Sequence, residues 1–183
     1  MAFTSKVIHN PITGQQIKFI KTSRDTNGSM LEMESTFSKF SNEPPPHYHP
    51  HQEEEFKIIK GSISVRINGE VKILHQGDRL YIPRNTVHSM WNHSNDTSIV
   101  NWRVSPALNT EYLLETVMGL ASIGKVNKSG MPSILQMALV ANKYGKEYRL
   151  ARPSFAIQKA LFTILTPLAY FVGYRSSYKC FIN

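Results

Sequence analysis

The segment SISVRINGEVKILH, residues 62–75, places the tightest constraint on the fold of this chain. Ile63, Val65 and Ile67 alternate with Ser62, Ser64 and Arg66, and a period of two puts the first set on one face of a strand. The run then meets Asn68-Gly69, the residue pair best able to take the two left-handed conformations of a tight hairpin turn. A second Asn-Gly, Asn27-Gly28, precedes SMLEMESTF, where Leu31, Met33 and Phe37 share a parity and Glu32 and Glu34 take the other. Further short runs follow at RLYIP, VHSMWN and SIVNWRV. Many short strands separated by turn residues predict a mainly β unit, a sandwich or barrel.

The pattern changes after Pro106. NTEYLLETVMGLASIG and PSILQMALVANKYG have helical spacing, with Asn109 and Ser133 as expected N-caps. A third apolar segment runs from Phe155 to Tyr174. The expected organisation is a β unit over residues 1–105 and about three α-helices over residues 106–183, packed on the barrel or on a partner subunit. Pro167 and Lys159 interrupt the last segment, so a membrane span is not expected. Burial, within the subunit or between subunits, is expected for Phe162, Ile164, Leu165, Leu168, Tyr170 and Phe171, with Lys159, Arg175 and Lys179 left in water. Peripheral membrane contact is the less favoured reading.

Charge is unevenly placed. Residues 1–104 hold 12 Lys/Arg and 10 Asp/Glu, net +2, and residues 105–183 hold 9 and 3, net +6. The basic residues are scattered and no nucleic-acid motif accompanies them, so a nucleic-acid partner is not expected. The single cysteine, Cys180, excludes an internal disulfide and any cysteine-based zinc site. The N-terminal stretch has no signal-type apolar run, and a cytoplasmic protein is expected.

PPPHYHPHQEEEFKIIKG, residues 44–61, raises the question of function. His47 and His49 share a parity. Glu54 shares the parity of Phe56 and Ile58, which belong inside. A carboxylate on an apolar face is costly unless a cation meets it. His88 lies in a later short strand. Three neutral imidazoles and one carboxylate suit a first-row divalent metal. His51, His75 and His93 are expected at the surface, and Glu53 and Glu55 in solvent.

These residues fall into two ordered motifs. His47-x-His49-x4-Glu54-x6-Gly61 resembles the first cupin motif, and Gly77-x5-Pro83-x-Asn85-x2-His88-x3-Asn92 resembles the second, with residues 62–76 between them. Ser41 and Asn85 stand where that family usually carries glycine. The resemblance implies a conical β-barrel of two antiparallel sheets (double-stranded β-helix, or jelly roll), often dimeric, with a metal held by His47, His49, Glu54 and His88. The helical C-terminal segments resemble those of a group of small bacterial cupins.

The reaction is left open by these motifs. The first expectation is an iron(II)-dependent oxygenase acting on a small organic substrate, with Glu54 as a catalytic base and zinc, manganese or nickel as alternative metals. The others are a metal-assisted sugar isomerase or epimerase, and a non-enzymatic small-molecule binding or sensing module; a homodimer is expected under each reading.

Overall fold

The computed structural model describes residues 2–178 together with Cys180 and Phe181. Lys179, expected at a solvated edge, lies outside the described residues. The strands are β1 (Val7–His9), β2 (Gln16–Lys21), β3 (Leu31–Phe37), β4 (His47–Tyr48), β5 (Glu53–Lys60), β6 (Ser62–Ile67), β7 (Glu70–His75), β8 (Arg79–Ile82), β9 (His88–Trp91) and β10 (Ser98–Ser105). After them come α1 (Thr110–Ser122), α2 (Ile134–Lys143), the short strand β11 (Arg149–Leu150) and α3 (Phe155–Phe171).

The hairpin at Asn68-Gly69 forms as its residues require. Both turn residues have positive φ, 50° and 96°, and β6 and β7 pair antiparallel from Ser62↔His75 to Ile67↔Glu70. Among the described residues the strands make two antiparallel sheets, one ordered β1-β2-β3-β10-β5-β8 and the other β11-β4-β9-β6-β7. The sheets face each other across Phe56, Ile58, Ile63, Val65, Ile82, Met90 and Val100, all buried. Each large side chain so buried contributes about 1.5–3 kcal/mol. A second cluster, Ile17, Phe19, Leu31, Met33, Val104 and Ala107, takes in Met118 of α1 and so fixes that helix to the barrel. Trp102 packs against both clusters.

Gly61 links β5 to β6 with φ of 77°, and a Cβ there would lie 2.7 Å from Ser98 Oγ and 3.1 Å from Thr97 O. Only glycine fits this corner without displacement. Asn85 takes φ of 62°, the left-handed conformation asparagine tolerates, and its backbone N–H donates to His49 O at 3.0 Å.

The helical part is tied to the barrel by polar contacts as well as by Met118. Gln52 is fully buried, and its side-chain amide donates to Pro106 O at 2.8 Å, Ala107 O at 3.0 Å and Thr110 Oγ1 at 2.7 Å. This clamps the turn from β10 into α1. Asn109 precedes α1 as expected, but its side chain makes no capping bond. It donates instead to Glu147 Oε1 at 2.9 Å. Ser133 does cap α2, accepting from Gln136 N at 3.3 Å.

Within the chain, α3 covers only part of its apolar surface. Phe162 is buried and Leu165 half-buried, but Ile164, Leu168, Tyr170 and Phe171 are exposed. The physical reason is that α3 turns one narrow face, Gln158, Phe162 and Ala169, inward, and packs on α2, where Asn142 Nδ2 donates to Phe162 O and Thr166 Oγ1. Among the described residues no helix is long and apolar enough to cross a membrane.

Candidate metal centre

Strand pairing brings the four predicted residues together. β4 is only two residues long, hemmed in by Pro44, Pro45, Pro46 and Pro50. It holds its place because both its edges are paired: His47 lies opposite His88 on β9 and opposite Leu150 on β11. Ala151 N adds a bond to Pro46 O at 2.9 Å. Glu54 comes from the facing sheet, on the inward parity with Phe56 and Ile58, and is buried.

The candidate ligand nitrogens of His47, His49 and His88 lie within 4.8 Å of one another. Glu54 Oε2 is 2.9 Å from His88 Nε2 and 3.3 Å from His49 Nε2. Each imidazole is anchored through its other nitrogen. Nδ1 meets Pro45 O at 3.1 Å for His47, Glu147 O at 2.6 Å for His49 and Thr86 O at 3.0 Å for His88. A carbonyl only accepts, so Nδ1 carries the proton in all three rings. In the neutral form Nε2 then presents a lone pair, the arrangement that metal-binding histidines require.

Glu54 is held by one oxygen. Trp102 Nε1 donates to Glu54 Oε1 at 3.0 Å, and its ring stacks on Phe56 with 5.9 Å between centroids. Glu54 Oε2 and His49 Nε2 are both buried without an aligned hydrogen-bond partner. Such orphaned atoms cost free energy unless something cationic meets them. The donor set of three imidazole nitrogens and one carboxylate oxygen fits a divalent transition metal.

The electrostatics are those of a tight, desolvated cluster. Burial pushes the Glu54 carboxyl up, but the surrounding imidazoles, His49 foremost, outweigh it and hold it at about 2. Burial, with the neighbouring charges of His88 and His49, brings His47 down to about 3. Burial also disfavours charge on His88, yet its contact with Glu54 wins and leaves its pKa raised.

Residues beyond the two motifs complete the centre. Tyr148 stacks on His47 with 4.7 Å between ring centroids and 27° between planes. Burial pushes its phenol up. Glu147 supplies the carbonyl for His49, and its buried carboxylate holds Asn109 through both the backbone and side-chain nitrogens, at 3.1 and 2.9 Å. His49, Glu54 and His88 are buried while His47 and Tyr148 are half-buried, so the centre is most open beside those two rings. Trp102 was within reach of the alternation in SIVNWRV, but nothing local in the sequence marks Glu147 or Tyr148. His51, His75 and His93 are exposed, away from the cluster, and Glu53 and Glu55 are half-buried, near Arg84 and Arg79 at 3.3 Å each.

Two antiparallel sheets enclosing three inward histidines and a carboxylate define a double-stranded β-helix barrel with a candidate divalent-metal centre. The chain matches the family model for the cupin domain over residues 35–102. It is 30% identical over 90 residues to quercetin 2,3-dioxygenase of Bacillus subtilis (strain 168), covering 49% of this chain and 26% of that one. It is 44% identical over 46 residues to the oxidoreductase OpS7 of Beauveria bassiana (strain ARSEF 2860), covering 25% of this chain and 15% of that one. The chain thus spans about a quarter or less of these two curated relatives. An RmlC-like cupin from Shewanella frigidimarina NCIMB 400 aligns with a TM-score of 0.49 at 20% identity, covering 61% of this chain and 94% of that one.

Proposed function

We propose that His47, His49, Glu54 and His88 hold one divalent metal, iron(II) foremost, and that the protein is an oxygenase acting on a small organic substrate. The observation that carries the metal reading is the common anchoring of the three rings. Every Nδ1 is committed to a backbone carbonyl, which leaves Nε2 to face a buried carboxylate oxygen with no aligned partner. The oxygenase reading is supported by the similarity to quercetin 2,3-dioxygenase over 90 residues. That span includes neither all of this chain nor most of the relative, so the substrate class is part of the proposal.

A bound iron(II) supplies Lewis acidity toward an enol or catechol-like oxygen and activation of dioxygen. The remaining work falls to the chain. The three carbonyl anchors fix ring orientation. Trp102 holds Oε1 of Glu54, so Oε2 is the atom that would turn to the metal and that, once released from it, would take the proton an enol or catechol hydroxyl gives up on binding. The stacked ring of Tyr148 covers His47 and limits water on the open side.

The test is anaerobic reconstitution with iron(II), followed by dioxygen uptake on flavonols, β-diketones and catechols. Uptake on one class, lost in Glu54→Ala, supports the proposal. Metal bound at one equivalent with no uptake on any class leaves the centre standing and overturns the oxygenase reading in favour of a binding module.

A further inference from the structure

We propose that α3 docks on an anionic lipid surface, lying in the plane of the headgroups. Ile157, Leu161, Ile164, Leu168 and Phe171 recur at alternating spacings of four and three residues, which lines them along one side of the helix. All five are exposed, Ile164 at 73% and Phe171 at 88%. The opposite flank, with Phe162 and Ala169, is already spent on α2. An apolar stripe of this length, bare of charge, is rare on a monomer surface and marks a contact. Lys159, the one charged residue of α3, lies two positions from both Ile157 and Leu161 and so falls off the stripe.

Charge selects the occupant. From Thr116 onward the chain carries nine Lys/Arg and one carboxylate, Glu147, and that carboxylate is buried. Arg152 stands exposed before α3 and Arg175 after it. Among the described residues, no lysine or arginine from Lys125 to Arg175 forms an ion pair with a carboxylate. A second copy placed stripe to stripe would set one basic segment against another, neither with an exposed side-chain carboxylate from Thr116 onward. An anionic bilayer answers both features: lipid phosphates attract the cations, and the acyl boundary takes the stripe. The helix lies on such a surface rather than crossing it, since it is too short and insufficiently apolar to span.

The experiment is flotation of the full-length chain with vesicles of phosphatidylcholine alone and of phosphatidylcholine with phosphatidylglycerol. Binding to the anionic vesicles is expected to exceed binding to the neutral ones by about tenfold and to weaken with added salt. The double variant Ile164→Glu with Phe171→Glu, at exposed positions, is expected to lose binding while keeping the native circular dichroism, and Arg152→Glu with Arg175→Glu to lose the preference for anionic lipid. Failure to float with either vesicle, or equal binding to both, overturns the proposal. So does a chain that ignores vesicles but sediments as a dimer split by Ile164→Glu, which would give the stripe to a second copy.

Discussion

Tyr148 and His47 lie stacked, 4.7 Å between centroids, although 101 residues separate them in the chain. The contact joins the helical part to the barrel at its candidate metal centre. β11 pairs with β4 through Leu150↔His47, and Glu147 O accepts from Nδ1 of His49, just past the end of β4. The segment from Glu147 to Leu150 therefore orients two of the three histidines, and the β unit of residues 1–105 does not build the centre alone.

The first prediction concerns this segment. Tyr148→Ala removes the ring over His47 and is expected to weaken divalent-metal affinity by about tenfold or more, the usual cost of losing a group that orients a ligand. Tyr148→Phe keeps the stacked ring and is expected to stay within about threefold of wild type, since the ring rather than the hydroxyl makes the contact. Competition against a chelator with a metal-sensitive absorbance measures both.

Trp102 gives the second. Trp102→Phe removes the donor to Glu54 Oε1 and leaves that oxygen buried without it. The expected cost in the metal-free protein is about 1–3 kcal/mol in urea unfolding. Because a freed carboxylate is less well positioned, metal affinity is expected to fall as well. Unchanged values for both would show that the indole bond does not hold Glu54.

A third prediction is that metal loading raises the melting temperature and chelation lowers it again. A ligand at one hundred times its dissociation constant adds about 2.7 kcal/mol to the folded state. His88→Ala is expected to abolish the shift and to bring metal content well below one equivalent by elemental analysis. Full occupancy in that variant would remove His88 from the centre.

The fourth is the pH dependence of stability with metal stripped. His47 is held at about 3 against an ordinary 6.5, so between those values the unfolded chain binds a proton the folded one does not. Stability must therefore rise with pH over that window. Glu54, held at about 2 against 4.5, acts with the same sign lower down. His88 is shifted the other way, and its contribution, present below 6.5, fades as pH rises through its folded value. A maximum near pH 6.5 is expected in urea midpoints, and His47→Asn should flatten the limb between pH 4.5 and 6.5.

Gln52 supplies the fifth. Its one amide nitrogen serves three acceptors at the turn into α1. Gln52→Leu strands those buried acceptors and is expected to cost about 2 kcal/mol or more, read as an earlier urea midpoint.

The sequence by itself determined the local half of this protein. A period of two named the inward residues of β5, Glu54 with Phe56 and Ile58. Asn68-Gly69 set the hairpin register, and the two spaced motifs single out His47, His49, Glu54 and His88. These are short-range facts, carried by backbone sterics and strand parity. Tertiary structure decided the rest, because the deciding partners are remote in sequence. Asn109 stands where a cap belongs, yet its amide is taken by Glu147, 38 residues away. His49 finds its carbonyl 98 residues away. Apolarity told that α3 seeks a surface to cover, but not which flank packs on α2 and which stays bare. That depends on how helices meet in space, and apolar burial has no direction of its own until packing supplies one.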